Sequence, residues 1–465
     1  MGTEHYFGGG GQTDLHPAAL IILIAACILI SVLPRRYAYV PVLLAALLVP
    51  VQEGVILGGL HFTLSRILLF FGWLRLLAVR VREGSSGMRW TSVDKIFIAY
   101  CLANAVMFFL LWGEMDALVN RFGFLLNALG MYFFMRNFVR SETDLDRVAK
   151  TLAWFMVMLA VFMVNEQITG RNVCSVLGGV PEITSVRDGK IRSQGPFAHA
   201  LTAGTVGAVL SPLFFGLWWQ RRRSKAVAWA GAAASGAVAA CSMSSTPVLV
   251  LVAGWFALAM WPLRRHLRWF RWGTVVLLVG LHLVMKAPVW ALIGRIDLTG
   301  SSSSYHRFAL VDQFIRRFGE WWLVGTRYTY NWGWDMWDNI NTYVAQGTDG
   351  GLLTFVLFIA LIAVAFHRLG VARKAKASHP EHARRLWVLG SMLFAHTVAF
   401  WGIGYFDQSS VVWYVGLAMI ATAVSLKPVG RQRAKVVIGS WEAPNVPQVQ
   451  PAHSMILART TACPE

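Results

Sequence analysis

Thirteen apolar runs follow one another along the chain, at 17–34, 38–52, 61–80, 96–113, 118–138, 148–168, 198–219, 226–242, 246–262, 273–289, 350–367, 386–404 and 410–426. Nothing else in the sequence limits the fold as much, because backbone in hydrocarbon must satisfy its own hydrogen bonds and so crosses as a helix or a closed barrel. Run length decides between them: a core about 30 Å thick takes about 20 helical residues but only about 10 in a strand. The runs at 38–52 and 226–242 are short for a helix. Composition agrees, since 56% of residues belong to AVILMFWYC and 14% are charged, which excludes an ordinary soluble domain. The expected fold is an all-α polytopic membrane protein with about 12–13 transmembrane helices.

The 465-residue chain carries 42 Lys and Arg against 23 Asp and Glu, a formal charge of +19. In a soluble domain that excess would suggest nucleic acid; here the placement of the charge excludes that partner and sets topology instead. Alternate connections hold 28 basic residues, from Arg35 and Arg36 through the clusters at 80–95, 136–150, 221–225, 264–271 and 368–385 to Lys435, whereas the opposite set holds about 11. The positive-inside rule makes the first set cytoplasmic, so the N-terminus is expected outside and the C-terminus inside. This reading gives a short outer tail at 1–16, a transmembrane domain at 17–426 and a cytoplasmic, disordered tail at 427–465 that is rich in Pro, Ala, Gln and Val. The long connections 169–197 and 290–349 then face the periplasm or cell exterior, where loops of that length carry function.

Several simpler assignments are set aside. The first sixteen residues lack Lys and Arg and no small-residue cleavage pattern follows, so the first run is expected to remain as a helix and not to be a cleaved signal. Five cysteines are scattered without the spacing of a disulfide framework or metal site, and no His/Cys cluster suggests a metal or other cofactor. No repeat relates the two halves. Within the runs the ionisable residues singled out are Arg66, Glu166, Lys286 and His396, each a functional candidate or a structurally paired charge.

The two outer loops hold the residues with chemistry. In the first, Arg192 precedes a Gly195-Pro196 turn and His199 enters the next helix. Arg192 can grip a phosphate bidentately or meet lipid headgroups, and His199 can serve as a proton carrier or as a satisfied polar residue at a helix start. In the second, Ser303 or Ser304 caps a helix expected to run to about Phe318. At 100° per residue Val311, Phe314 and Phe318 fall within about 40° of Arg307, which is thus centred on the apolar face and needs an anion. Asp312, His306, Arg316 and Arg317 fall on the wet face. Eight aromatic residues between Trp321 and Tyr343 suit an interfacial belt or stacking on sugars, and Asp349 sits at the start of the run after them.

Taken together, Arg-x-x-Gly-Pro-Phe-x-His at 192–199, Arg307 in a helix followed by Leu323-Val324-Gly325, and NINTYVAQGTDGGLL at 339–353 resemble the O-antigen ligase and Wzy polymerase superfamily over roughly residues 60–426. The resemblance implies a type C glycosyltransferase fold in a bacterial inner membrane. It implies metal-independent transfer of glycan, in surface polysaccharide assembly, from an undecaprenyl diphosphate carrier to a hydroxyl on a glycan or lipid-linked acceptor, among membrane lipids. By position it makes Arg192 and Arg307 the diphosphate ligands, with Asn341 and Tyr343 as further substrate-binding residues.

Two departures qualify it. Position 340 is Ile where the family has the histidine that activates the acceptor, and 244–247 read Ser-Ser-Thr-Pro where it often has Ser-Arg-Gly. Without that histidine the candidates for accepting a proton or orienting the acceptor are Asp338, His306 and His199, although Asp338 can equally turn the chain or pair with Arg327. The rival readings are a transporter or flippase of lipid-linked glycan, with Arg66, Glu166, Lys286 and His396 along its path, and a non-catalytic assembly protein.

Overall fold

The structure is a computed structural model that describes residues 15–57, 60–83, 88–219, 224–295, 304–337 and 339–426. The readings placed on most of the tail at 1–16, on the tail at 427–465, on Ser303 and on Asp338 lie outside the described residues.

Every apolar run is a helix. They are α1 Pro17–Val32, α2 Val40–Leu48, α3 Leu64–Glu83, α4 Ser92–Trp112, α5 Met115–Phe138, α6 Glu142–Thr169, α7 Ala200–Trp218, α8 Lys225–Cys241, α9 Ser245–Ala259 and α10 Leu267–Val284. Two loop helices follow, α11 Ser304–Arg316 and α12 Phe318–Trp321, and then α13 Thr342–Ala375, α14 Pro380–Ala399 and α15 Asp407–Ser425. Between the α-helices lie short 3-10 helices and two antiparallel hairpins, β1 Gly54–Leu57 with β2 Leu60–Thr63 and β3 Val186–Arg187 with β4 Lys190–Ile191.

Local chemistry sets the boundaries. Thr91 with Asp94 and Ser141 with Asp144 form reciprocal capping boxes at the starts of α4 and α6, and Gly113 and Gly170 end those helices at φ 67° and 70°. Seven helices, α4, α5, α6, α7, α10, α13 and α15, are long and apolar enough to cross a membrane, and α1, α8 and α9 are shorter apolar helices, so the protein is an all-α, multi-pass membrane protein. Basic residues interrupt α3 and a charged first turn opens α14. At about 1.5 Å per residue the nine-residue α2 is too short to cross alone. The stretch after it returns the chain to the start of α1, where the Glu53 carboxylate accepts from His16 N at 2.7 Å.

α15 packs against α5, α7, α13 and α14; α7 lies on α8, α9 and α14, and α4 runs beside α5 and α13. α10 shows none of its apolar window buried. The bundle has two chemically distinct ends. At one, Arg35 and Arg140 donate to Asn137 O at 2.8 and 2.9 Å, Arg385 pairs with Asp146 at 2.9 Å, and Glu142 binds Lys376, His382 and Arg385. At the other lie the long connections, whose residues bond the opposite helix ends: Gln408 to Pro196 O at 3.2 Å, and Arg327 to Leu111 O and Trp112 O at 2.9 and 3.2 Å. Arg327 thus satisfies the last carbonyls of α4, where a cation is favoured.

The second long loop corrects two expectations. α11 ends at Arg316, short of Phe318, because the chain breaks at Arg317 and starts α12. Asp312 is not wet: it is buried, accepting from Trp290 Nε1 at 3.1 Å and Arg316 Nε at 2.7 Å. Leu310, Val311 and Phe314 are buried as the wheel places them, and α11 rests on Val289–Arg295 and α13. α13 begins eight residues before the apolar run but is bent where that run starts, with φ/ψ of −155°/17° at Gly350 and 67°/−170° at Gly351. Two backbone hydrogen bonds fasten the loop to this bend, Thr326 N to Thr348 O and Leu352 N to Trp322 O, both 2.8 Å.

Candidate functional site

At the long-loop end a cavity of about 600 Å³ opens between α3, α4, α5, α13 and the start of α15. Its polar lining includes Arg66 from α3, Asn104 from α4, Asn120, Arg121 and Asn127 from α5, Gln346 and Asp349 from α13, and Tyr405 and Asp407 at the junction of α14 and α15.

Two arginines and two carboxylates define its electrostatics. Arg66 donates from Nε to Asn127 Oδ1 at 2.9 Å, and its guanidinium lies against Gly123, where a Cβ would come 3.2 Å from one terminal nitrogen. Asp407 acts electrostatically on Arg66 and is itself influenced by His199. Arg121 donates to Asn104 Oδ1 at 2.8 Å, with its guanidinium carbon 3.4 Å from the centroid of the Phe108 ring, and Asp349 is the acid acting on it. The buried Nε of Arg121 has no hydrogen-bond partner among the described residues. An unmet donor on a cation, beside a cavity, suits an oxygen of an anionic ligand.

The bend in α13 places Asp349 on the cavity wall, and Thr348 Oγ1, 3.4 Å from its Oδ1, also receives Asn339 Nδ2 at 2.8 Å. Tyr100 donates to Gln346 Oε1 at 2.8 Å, which ties α4 to α13 below the polar wall. Tyr405 OH lies 2.8 Å from Nδ1 of the buried His396.

The residues singled out in the sequence fall elsewhere around this end. Arg192 follows the β3–β4 hairpin and is half-buried; burial and the neighbouring Arg187 hold its guanidinium below the usual arginine range, against the opposing Asp188. Glu166 braces the turn after it, accepting from Gln194 N at 3.1 Å, Gly195 N at 2.7 Å and Thr184 Oγ1 at 2.9 Å. His199 is the N-cap residue of α7 and meets Phe406 edge-on, with centroids 5.9 Å apart. His306 and Arg307 occupy the first turn of α11, both half-buried. Asn341 is a buried helix cap, its Oδ1 accepting from Tyr343 N and Val344 N at 2.9 and 3.2 Å and its Nδ2 donating to Trp401 O. Tyr343 donates to Thr397 O at 3.0 Å and packs on Phe400 and Trp401. None of these seven lines the cavity.

Of the four ionisable residues noted inside the runs, Arg66 alone lines it; Lys286 is exposed, and Glu166 and His396 are bound as described. Arg121 and Asp349 carried weak signals, the first as a basic residue on the sparse side and the second as an acid at a run boundary. Asp407 and Asn127 carried none that one sequence exposes. No protein-family model and no curated protein matches the chain.

Proposed function

We propose that the chain is a bacterial inner-membrane glycan transferase, O-antigen ligase-like in its helical architecture and of the type C kind. It moves a glycan from a polyprenyl diphosphate to an acceptor hydroxyl at the long-loop end. The observation that supports this reading is the convergence of Arg66, Arg121, Asp349 and Asp407 on one cavity at that end. In this reading the basic end is cytoplasmic and the cavity faces the periplasm, as the charge bias requires.

The chemistry needs only these groups. The acceptor oxygen attacks the anomeric carbon, the bond from that carbon to the diphosphate oxygen breaks, and the hydroxyl proton passes to the carboxylate of Asp349 or Asp407. The arginines meet the charge that builds on the leaving diphosphate. Arg192 and Arg307, which the family resemblance would put on the diphosphate, stand outside the lining, so in this chain the donor-binding role passes to Arg66 and Arg121. A transport path is disfavoured because three of the four in-run ionisable residues stand off the cavity.

The test is to purify the protein with its native lipids, identify bound lipid-linked glycan by mass spectrometry, and follow transfer in vesicles. Bound donor and turnover that Asp349→Asn or Asp407→Asn abolishes are expected. A wild type that binds donor and transfers nothing supports the non-catalytic assembly role, and one that binds no polyprenyl diphosphate overturns the reading.

A further inference from the structure

α3 and α5 are closed against one another at their middle and parted at the long-loop end. The closure is made by glycine: a Cβ on Gly130 would come 2.9 Å from Leu69 Cδ2, one on Gly72 would run into the Phe134 ring, and Trp73 Nε1 donates to Gly130 O at 3.2 Å. Beyond that seam the cavity spreads between 62–69 on one side and 119–127 on the other, bridged by Arg66 against Gly123 and Asn127. The rim has a distinct character. Of all the lining residues only Val119, Phe122, Phe406 and Asp407 are exposed, and three of those four are apolar. Phe122 is 66% exposed, and the apolar surface continues outside the rim over Leu118 of α5 and over Phe70, Phe71 and Leu74 of α3.

A polar interior behind an apolar mouth does not suit a fully hydrated ligand, which would desolvate its polar groups on passing. It suits an amphiphile with an anionic head and a hydrocarbon tail. We propose that the gap between the loop-end halves of α3 and α5 is a lateral portal. Through it a diphosphate-headed polyprenyl lipid sets its head on Arg66 and Arg121 and keeps its tail in the bilayer over Val119 and Phe122. The inference rests on the donor class given above but concerns the route and the seat, and the experiment separates the two.

The experiment replaces Phe122 by the photoreactive p-benzoylphenylalanine in the full chain, reconstituted in phosphatidylglycerol bilayers with a minor share of polyprenyl diphosphate. The same replacement at Val161, exposed on α6 away from α3 and α5 and outside the lining, reports the bulk lipid. Position 122 is expected to capture the diphosphate lipid at about tenfold or more above its share of the bilayer, the effect of about one charge-assisted hydrogen bond, while position 161 captures it in proportion. Arg121→Gln, or Arg66→Gln should the first variant misfold, returns position 122 to proportion. Capture in proportion at 122 in a protein that transfers glycan overturns the portal and leaves the transferase reading standing. Enriched, arginine-dependent capture without transfer to any acceptor keeps the portal and overturns the transferase reading. Proportionate capture without transfer overturns both.

Discussion

Arg136 Nε meets Asp94 Oδ1 at 3.0 Å, and both side chains are sealed from solvent, at 3% and 0% exposure. The last turn of α5 is thereby tied to the first turn of α4 at the basic end. Asp94 also closes the cap of Thr91 and accepts from Tyr132 OH at 2.7 Å, while Arg136 reaches Thr422 Oγ1 on α15 at 3.0 Å. Removing the acid would leave a guanidinium buried without its counter-charge. Asp94→Ala should therefore cost about 3–5 kcal/mol, read as a lower melting temperature in detergent. A variant that melts with the parent would show that the pair does not hold the end together.

Arg121 supplies the second prediction. Its Nε is a buried donor on the cavity wall with no partner among the described residues, so a ligand oxygen there gains about 1.5–3 kcal/mol, and Arg121→Ala should weaken binding of a polyprenyl diphosphate tenfold or more. Arg121→Lys should rescue little, because the charge stays while the planar fork is lost. Arg316→Ala is the comparison: it loses a pair to Asp312 that is 69% exposed on the arginine side, so binding should be unchanged and stability lower by less than about 1 kcal/mol. Equal binding by the parent and Arg121→Ala in a vesicle titration would remove Arg121 from the site.

Gly351 is the third. Its φ of +67° disfavours any side chain, and a Cβ would stand 2.5 Å from Leu323 O in the segment fastened to the bend. Gly351→Ala should loosen that fastening at a cost of about 1–3 kcal/mol and displace Asp349. Gly370→Ala, in the same helix with nothing within 4 Å, should be neutral or slightly stabilising. Similar melting and similar turnover of the two variants would show that the bend is not needed.

The helices were legible in the sequence because the apolar runs have spanning length and several carry their own punctuation: Thr91 and Ser141 start helices, Gly113 and Gly170 end them, and Pro17 and Pro380 open first turns. The cavity was much less so. A site inside a helical bundle is assembled from residues far apart in the chain, as with Arg66 and Asn127 or Arg121 and Asn104, and no spacing encodes such meetings. Asp312 shows the limit of the helical wheel. A wheel orders residues around one helix but does not reveal that Trp290 will cover the polar side and offer it an N–H. Asn341 shows the limit of motif reading, since a residue that belongs to a functional pattern here has both ends of its amide committed to capping α13 and holding Trp401 O.

Cys174 gives a prediction independent of function. It lies in the first long loop, 4% exposed, and burial pushes its thiol up to about 12, with the Glu166 carboxylate adding to the effect. A raised value means that the reactive thiolate stays scarce at every pH below it, so maleimide should fail to label Cys174 in the folded protein at pH 7.5 and at pH 9 alike, and should label it after denaturation. A cysteine introduced at Val186, 62% exposed in the adjoining hairpin, should react at once under the same conditions. Fast labelling of native Cys174 would mean that the segment Val173–Leu177 does not stay packed on the bundle.

The last prediction concerns which end faces which compartment. Basic residues crowd one set of connections, 28 against about 11, and the structure gathers Arg35, Arg136, Arg140, Lys376 and Arg385 at one end of the helices with the cavity at the other. Translocation of each short basic connection is opposed, so the bias acts many times over in one direction. A fluorescent reporter fused after Lys225, at the start of α8, should mature as it does in the cytoplasm. Ser185→Cys, beside the β3–β4 hairpin, should be labelled in intact cells by a maleimide that does not cross the membrane. The two sites test different connections, so a single misfolded fusion cannot mimic the result. Labelling of Ser185→Cys only after the cells are opened, together with a dark reporter at 225, would turn the cavity toward the cytoplasm and remove the periplasmic acceptor from the proposed reaction.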